Sequence, residues 1–459
     1  MIDHPAFAYA NLERAIEGLG SAKKLLRSST IGPYVFPGVP LEYSNWKDAQ
    51  RAWLNDVALL NLSFHMTSLY LSGSDVLKFL KYVSCNKFGE FGPGRGKQMI
   101  LANHQGELIA DCILFYTSDG RFRMSGSPVA SDWVQYQAET CGMDVNADRD
   151  DSVQFREGDP RLYVYQIQGP HSASLMKDVC DGEFPEIKFF RIGEFQIAGK
   201  PVQALRHGMA GVPGFELFGP WADHEVIMGA LEKAGAKYKM RKVGALAYPS
   251  TCLESGWLAL PCPAIYTSRE AKGYREWLTP FHIETIGSIG GSFDPDDITE
   301  YYLDPVEVGY GKFIDTENAG CIGHAALLKK LTNQKRTKVT LVWDSQDVTD
   351  AINASLFDDD RPAKYMDMPL SIYSTFQYDT VIKDGKTVGV STYCGVSANA
   401  NKMLSIAVLD IEHAKPGTEV EILWGEPDST KPVVESNVIR RIRAMVATIP
   451  YFDKSNKLF

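Results

Sequence analysis

The last quarter of the chain most constrains its fold, because its hydrophobic pattern differs from that of the preceding residues. Beyond about residue 335, short segments rich in β-branched and aromatic residues follow one another: KVTLVW, KTVGVSTYCGVS, MLSIAVLDI and TEVEILWGE. Asp384-Gly385 and Pro416-Gly417 lie between such segments and are typical turn dipeptides. Short strands separated by turns predict a separate small β-barrel or sandwich over residues 336–459.

The preceding residues mix helical and strand patterns without a regular βαβ alternation, which predicts an α+β fold. A first helix is predicted over 47–60, with apolar residues at helical spacing: Trp46, Ala49, Trp53, Val57 and Leu60. Ser74 is predicted to cap a second helix, whose apolar face contains Val76, Leu80 and Val83. Asp223 is predicted to cap a third helix that ends near Gly235 and buries Val226, Ile227, Ala230 and Leu231.

Turn residues also delimit predicted strands. Residues 99–116 predict a β-hairpin turned near Gln105-Gly106. Residues 163–168 predict a strand that ends at Gly169-Pro170, with a helix after the turn. The polar segment 142–160 is predicted to be a surface excursion.

Composition excludes several functional classes. A length of 459 residues predicts about two to four domains, and a net charge of −10 argues against a nucleic-acid partner. No apolar run approaches the roughly 18 residues of a membrane span, and the N-terminus lacks a secretory pattern, so we expect a cytoplasmic protein. The eight cysteines form no C-x-x-C pair, which predicts reduced core thiols and no bound metal.

The stretch RHGMAGVPGFELFGP at 206–220 carries the strongest chemical signal. Its glycine-rich turn would let the backbone approach a flat ligand closely. Glu216, at the start of the strand that follows, could accept two N–H groups from a heterocycle. A β-turn followed by a surface glutamate is the other interpretation that this stretch allows.

Seven short motifs follow one another over nearly the whole chain: Ala110-Asp111, Gln168-Gly169-Pro170, Gly214-Phe215-Glu216, Leu253-Glu254-Ser255-Gly256, Asp304-Pro305-Val306-Glu307, Ile322-Gly323 and Pro416-Gly417-Thr418. In this order they resemble the folate-dependent aminomethyltransferases, which include the T-protein of the glycine cleavage system. Each motif is weak alone, and the specificity of the resemblance comes from their common order.

Longer strings narrow the resemblance: SSTIGPYVFP, EYSNW, FHMTSLYL, LRHGMAG, PAIYT, REWL, IGGSF and VGYG. They are similar to the tetrahydrofolate-dependent aryl O-demethylases, which act on vanillate, 3-O-methylgallate and related methoxybenzoates. The resemblance implies a ring of three domains around a channel that holds tetrahydrofolate. It divides residues 1–335 into two interleaved α+β domains, about 1–58 with 155–250 and 59–154 with 251–335, followed by the barrel at 336–459.

The chemistry of such an enzyme requires two kinds of help, because the leaving group of an aryl methyl ether is a phenoxide. Nitrogen, methyl carbon and ether oxygen must be aligned, and the departing oxygen needs a donor. The resemblance implies that Tyr248, predicted in an extended segment before Pro249, is this donor. It also implies that His65, predicted on an alternating strand, lies near the substrate oxygens. An ordinary packed core side chain is the alternative for each.

For the cofactor, the resemblance implies that Glu216 binds the aminopyrimidine edge of the pterin, with Phe215 beside it. Gln166 matches a folate-contacting glutamine, and Gln168 shares its strand face because strand residues alternate. Trp257 would stack on the pterin or the substrate.

Two other positions match the family. Asp111 occupies its catalytic acidic position near the reactive pterin nitrogens. The family's preceding aspartate is Ala110 here, which weakens an aminomethyltransferase mechanism. Tyr34 matches a pocket tyrosine of the demethylases.

Three departures from the vanillate-type enzymes bear on the substrate. Ser127 stands where an arginine clamps the benzoate carboxylate, Phe36 replaces a second pocket tyrosine, and Leu62 replaces a pocket glutamine. Arg123 shares the strand face of Ser127 but lies about 13 Å along the strand, which is too far to replace the clamp. Because these losses would leave buried polar substrate groups unpaired, we expect a methoxyarene more apolar than vanillate. Candidates are a chlorinated methoxybenzoate such as dicamba, or a guaiacol-like phenol.

We therefore predict an O-demethylase that converts tetrahydrofolate to 5-methyltetrahydrofolate and releases a phenol. One alternative is another folate-dependent one-carbon transferase, namely an aminomethyltransferase or an amine or sulfonium demethylase. The string Tyr248-Pro249-Ser250-Thr251-Cys252 lacks the Arg-Asp-Ser-Leu-Arg pattern of the aminomethyltransferases. The other alternative is a non-catalytic folate-binding factor, whose Lys-Gly-Cys motif Gly320-Cys321 matches only in part. The sequence indicates no particular protein partner.

Overall fold

The computed structural model describes residues 4–452. The α-helices in this range are α1 Leu12–Leu19, α2 Ala22–Arg27, α3 Trp46–Asn55, α4 Val76–Val83, α5 Pro128–Thr140, α6 Ser172–Val179, α7 His224–Gly235, α8 Thr251–Ser255, α9 Lys272–Trp277, α10 Ile283–Ile286, α11 His324–Thr332 and α12 Ser345–Phe357. None of these helices is long and apolar enough to cross a membrane.

The strands form two large sheets, a barrel and a short parallel pair. In chain order they are β1 Ala58–Asn61, β2 Thr67–Ser72, β3 Arg95–Ala102, β4 Leu108–Tyr116, β5 Phe122–Gly126, β6 Asn146–Asp150, β7 Leu162–Gln168, β8 Ile192–Ile197, β9 Lys200–Leu205, β10 Gly214–Pro220, β11 Arg241–Lys242, β12 Ile289–Gly290, β13 Arg336–Trp343, β14 Phe376–Gln377, β15 Asp379–Lys383, β16 Lys386–Ser397, β17 Lys402–Asp410, β18 Glu419–Trp424 and β19 Arg440–Ala447.

The first sheet has six strands in the order β11-β1-β7-β10-β9-β8. One face packs against α6 and α7 through a core that includes Tyr165, Ile167, Leu217 and Leu231. Strand β7 ends where predicted, because Gly169 has φ 123° and a Cβ there would lie 2.5 Å from the Asp56 carbonyl oxygen. Only glycine fits this turn, and α6 begins three residues later.

The second sheet has five strands in the order β3-β4-β5-β2-β6. The predicted hairpin β3–β4 is confirmed, and Asn103 Oδ1 closes its turn by accepting the N–H groups of Gln105 and Glu107 at 2.9 Å. The predicted surface excursion 142–160 is wrong in part, because β6 pairs with β2. The polarity of β6 reflects an edge strand with ion pairs such as Arg149–Asp132.

The barrel is confirmed: β13-β17-β16-β15-β18-β19 close on themselves. Trp343 and Trp424 fill its interior, with ring centroids 5.7 Å apart. The short pair β12–β14 joins a loop of residues before the barrel to a segment that precedes β15.

The predicted domain boundaries stay a prediction. Within 1–58, however, α1 and α2 share the core of the five-stranded sheet, through Leu12 and Leu25, rather than the core of residues 155–250. Sequence order alone did not reveal this assignment, because both cores accept apolar helices of similar pattern.

Three details of the helix predictions are wrong. The helix predicted over 47–60 ends at Asn55, because the next residues pair between β7 and β11 as β1. Asp75, not Ser74, occupies the cap position of α4, and the Ser74 hydroxyl binds Asp144 at 2.7 Å. Val226 on α7 is 43% exposed, whereas Ile227 faces the sheet.

Candidate active site

A cavity of about 520 Å³ is lined by loops of both sheets and by the barrel. Six predicted site residues line it: Tyr34, Phe36, His65, Ser127, Tyr248 and Trp257. The C-terminal domain contributes part of the wall that was not predicted, through the segment before β15, which includes Asp367–Leu370 and Thr375, and through Thr392 and Tyr393 on β16. Leu62 does not line the cavity but lies in the apolar core with Leu60 and Tyr248.

Four aromatic side chains form one cluster at the cavity wall. The Tyr248 hydroxyl lies 3.0 Å from His65 Nε2. The Phe36 ring lies edge-on to both residues, with centroid distances of 4.9 Å. Tyr34 donates its hydroxyl hydrogen to the His65 carbonyl oxygen at 2.5 Å. These contacts fix the orientation of the histidine and the tyrosine relative to each other.

The backbone around this cluster differs from the prediction. His65 lies in a turn between β1 and β2, not on a strand. Tyr248 begins a short 3-10 helix, Tyr248–Ser250, instead of lying in an extended segment. The usual avoidance of helix before proline is overcome because the Tyr248 N–H binds the Gly244 carbonyl and Thr251 Oγ1 binds the Tyr248 carbonyl.

Buried polar side chains hold this 3-10 helix and α8 in place. Gln50 on α3 donates to Ser250 Oγ at 2.8 Å and accepts from the N–H of Ala398 after β16. Glu254 on α8 accepts from Trp53 Nε1 at 2.7 Å and from Ser397 Oγ at 2.6 Å. The segment that carries Tyr248 is therefore tied to α3 on one side and to the barrel on the other.

Burial determines the protonation of the central pair. It lowers the pKa of His65 to about 3, so the imidazole is neutral near pH 7. Burial, and then neighbouring Cys252 and Glu216, raise the pKa of Tyr248 well above its ordinary value. A neutral imidazole therefore faces a protonated phenol in the neutral pH range.

The stability of the protein should reveal the neutral state of His65. Because its pKa is about 3 when folded and 6.5 ordinarily, the unfolded chain binds a proton between these values that the folded chain does not. Above pH 6.5 the free energy of unfolding does not depend on the titration of His65. As the pH is lowered below 6.5, the free energy of unfolding falls by about 1.4 kcal/mol per pH unit.

The measurement is urea unfolding of the wild type and of His65→Asn at pH 7, 6 and 5. We expect the stability difference between the two proteins to shift against the wild type as the pH is lowered. Parallel stability curves for the two proteins would mean that His65 is not held neutral by burial.

A second group of predicted residues lies on one face of the six-stranded sheet. Glu216 on β10 is the direct cross-strand partner of Gln166 on β7, and Gly214 is that of Gln168. All three polar side chains are buried. Gln166 donates to the His207 carbonyl oxygen, and Gln168 accepts from the Met209 N–H. Among the described residues, Gln166 Oε1 and Gln168 Nε2 have no hydrogen-bond partner.

His207, just beyond β9, was not predicted as a site residue. Its Nε2 lies 2.9 Å from Glu216 Oε2. Arg123 on β5, which the sequence analysis rejected as a clamp, has its Nη2 4.0 Å from Glu216 Oε1. The sequence offered one indication of His207, namely its position beside the glycine-rich turn. Its pairing with Glu216 could not be predicted, because it depends on the register of β9 and β10.

Phe215 is the predicted cofactor residue that the structure separates from the others. Successive strand residues point to opposite faces, so Phe215 faces α6 and α7 while Glu216 faces away from them. The Phe215 ring packs edge-on against Phe184 at 5.4 Å. The prediction that Phe215 contacts a ligand beside Glu216 is therefore wrong.

The third group surrounds Asp111 on β4. Its Oδ2 accepts from Gln98 Nε2 at 2.6 Å, Trp257 Nε1 at 3.0 Å and the Tyr310 hydroxyl at 3.2 Å. Burial raises the pKa of Asp111, and these hydrogen bonds oppose the rise. Lys338 on β13, also missed, lies over the Tyr310 ring, and burial lowers its pKa to about 8. No group of described residues is arranged to hold a metal ion.

Comparisons with known proteins agree with this architecture. The model of the GCVT N-terminal domain matches residues 33–261. The chain is 41% identical to syringate O-demethylase of Sphingobium sp. (strain NBRC 103272 / SYK-6), over 96% of each protein. It is 29% identical to sesamin methylene transferase of Sinomonas sp. (strain No.22), over 91% of each. The crystal structure of glycine cleavage system aminomethyltransferase T from Bartonella henselae has a TM-score of 0.62 at 17% identity, covering 92% of this chain and 94% of that chain. This last likeness confirms the predicted fold class.

Proposed function

Because the chain belongs to the tetrahydrofolate-dependent aryl O-demethylases of the glycine cleavage T-protein family, we propose that it transfers the methyl group of a methoxylated aromatic compound to tetrahydrofolate. It is a methyltransferase, and tetrahydrofolate is its one-carbon carrier. The observation that carries the proposal is the pair of Tyr248 and neutral His65, 3.0 Å apart at the wall of the cavity.

The polar residues around Glu216 on the six-stranded sheet fit the cofactor. Gln166 Oε1 and Gln168 Nε2 supply an unpaired acceptor and an unpaired donor on the same face as the Glu216 carboxylate. Such a set matches the mixed donors and acceptors of a pterin edge. Trp257 would hold the ring by stacking. When bound, tetrahydrofolate supplies the N5 nitrogen that accepts the methyl group.

Tyr248 stabilises the departing phenoxide by donating a hydrogen bond. Phenols ordinarily ionise near pH 10, whereas burial raises the pKa of Tyr248 well above that value. Tyr248 is thus a weaker acid than an ordinary phenol in water. Its role is to stabilise negative charge on the ether oxygen by a hydrogen bond as the bond to the methyl carbon breaks.

His65 orients this donor. With its hydrogen on Nε2, the neutral imidazole donates to the Tyr248 oxygen, which leaves the phenolic hydrogen free to face the substrate. Nδ1 of His65 has no partner among the described residues, so it can accept a hydrogen bond from a substrate hydroxyl. The bond from Tyr34 to the His65 carbonyl keeps the turn in this position.

The cavity wall favours a substrate without a carboxylate. Among the described lining residues, Asp367 is the only acidic side chain, and no lysine or arginine is present. Phe36, Met368 and Leu370 provide apolar wall. A carboxylate would lose its hydration without gaining a cation. A chlorinated methoxyarene or a guaiacol-like phenol without a carboxylate loses less hydration free energy on entering the cavity.

This preference can be measured with matched substrates. We expect methyl syringate to have a kcat/KM at least about tenfold above that of syringate, because burying an unpaired carboxylate is costly. Both rings carry the same methoxy groups, so the comparison isolates the charge. Vanillate and its methyl ester provide a second pair. Equal values within each pair would contradict the proposed apolar preference but not the demethylase function.

The function itself is tested by anaerobic incubation of the protein with tetrahydrofolate and a panel of methoxyarenes. The panel contains syringate, vanillate, guaiacol and chlorinated methoxybenzoates, and the readout is 5-methyltetrahydrofolate together with the free phenol. Equal amounts of the two products support the proposal. Binding of tetrahydrofolate without transfer from any ether would point to an amine or sulfonium donor, or to a non-catalytic folate-binding factor.

A further inference from the structure

Arg123 is a buried cation with an unusual environment. Its side chain is only 3% exposed, and none of its three guanidinium nitrogens has a hydrogen-bond partner among the described residues. The guanidinium carbon lies 4.0 Å from the Phe115 ring centroid and 4.7 Å from that of Phe218. These two rings belong to different sheets, so Arg123 lies between the sheets.

A buried charge without hydrogen bonds is costly unless an opposite charge is near. The carboxylate within ion-pair distance of Arg123 is Glu216, with Oε1 at 4.0 Å from Nη2. Asp150, the other acidic neighbour, is engaged by Arg156 at 2.8 Å and by the N–H of Arg161. The charge of Arg123 is therefore available to Glu216.

The two oxygens of Glu216 have different neighbours. His207 Nε2 contacts Oε2 at 2.9 Å, whereas Oε1 faces Arg123 at a distance too long for a hydrogen bond. A heterocycle can thus bind Oε1 while the nearby cation balances the negative charge of the carboxylate. A carboxylate can accept two N–H groups.

We infer that Arg123 is a positioning residue that holds the Glu216 carboxylate aligned for the pterin and balances its charge. This inference rests on the proposed function, because it assumes that Glu216 binds tetrahydrofolate. Arg123 acts through Glu216 and does not touch the substrate. This positioning role also explains why an arginine is buried at that position although its guanidinium nitrogens make no hydrogen bonds with the described residues.

The competing role is purely structural, with Arg123 joining the two sheets through Phe115 and Phe218. The two roles differ in what happens when the charge is removed. Loss of the arginine should lower stability in either role, because a buried charge that loses its partner is destabilising. Only a positioning arginine should also change the affinity for tetrahydrofolate, and that change should disappear once Glu216 has been replaced as well.

The experiment compares Arg123→Met, Arg123→Lys, Glu216→Gln and the double variant Arg123→Met/Glu216→Gln with the wild type. Anaerobic titration gives the Kd for tetrahydrofolate, and thermal unfolding gives Tm. Arg275→Met is the matched control, because Arg275 is 5% exposed, binds Glu13 and lies outside this network.

We expect Arg123→Met to weaken tetrahydrofolate binding about tenfold, since it removes a close buried charge pair, and also to lower Tm, since it leaves the Glu216 carboxylate without its cation. Arg123→Lys should keep most of the affinity, and the double variant should bind no more weakly than Glu216→Gln alone. Arg275→Met should lower Tm and leave Kd unchanged.

Additive losses in the double variant, or a lower Tm with unchanged Kd for Arg123→Met, would overturn the inference. If Glu216→Gln binds as tightly as the wild type, Glu216 does not bind the cofactor and the inference fails with that role. If the wild type binds no tetrahydrofolate, the proposed function fails instead. The two failures are therefore distinguishable.

Discussion

Replacement of Tyr248 by phenylalanine is expected to lower kcat for methyl transfer by about 100- to 1,000-fold, the usual cost of losing a transition-state donor. The affinity for tetrahydrofolate should change by less than about twofold, because Tyr248 faces the substrate oxygen rather than the cofactor edge. The buried ring is retained, so the loss isolates one hydroxyl group. His65 would keep its position through the bond from Tyr34 to its carbonyl.

Single-turnover measurements under anaerobic conditions, with enzyme in excess over substrate, separate this chemical step from binding. Tyr163→Phe is the matched control, because Tyr163 is fully buried on the helix side of the sheet and its hydroxyl has no partner among the described residues. That variant should keep the wild-type rate. A Tyr248→Phe rate within about threefold of the wild type would exclude Tyr248 as the main donor.

Replacement of Glu216 by glutamine should weaken tetrahydrofolate binding about 100-fold, because the neutral amide loses charge-assisted hydrogen bonds and presents a donor where an acceptor is needed. It should also lower the free energy of unfolding by about 3–5 kcal/mol, since the charge of Arg123 would be left buried and unpaired. Loss of affinity together with loss of stability is thus the expected signature.

Calorimetric titration and urea unfolding measure the two effects independently. Glu194→Gln is the control, because Glu194 lies exposed on β8 of the same sheet and should alter neither quantity. A stable Glu216→Gln variant that binds tetrahydrofolate normally would contradict the cofactor role of Glu216. A destabilised variant with normal affinity would mean that Glu216 serves only the ion pair.

Local sequence patterns predicted part of the elements. The hairpin β3–β4, the end of β7 at Gly169 and four of the six barrel strands, β13, β16, β17 and β18, were predicted because turn chemistry and alternation act over a few residues. The helix over 47–60 was extended too far, because β1 forms only when its neighbours β7 and β11 are present. Pairing between distant strands overrides a continuous apolar pattern.

In the candidate site, too, some features were predictable from the sequence and others depended on the tertiary structure. The family resemblance implied site roles for Tyr248, His65, Glu216 and Gln166. The first two lie 3.0 Å apart although 183 residues separate them. The prediction that Phe215 binds the cofactor failed because Phe215 lies on the opposite face of the strand from Glu216. Which face is free depends on which side of the sheet the helices cover.

What the sequence by itself determined is the inventory of reactive groups, several turns such as those after β3 and β7, and the membership of the family. The tertiary structure decided which groups meet: His207 and Arg123 on either oxygen of Glu216, and the cavity wall formed by the segment before β15 and by β16. Those contacts join segments from different sheets and the barrel. Their energies depend on burial and distance, and neither quantity is encoded in any one segment of the chain.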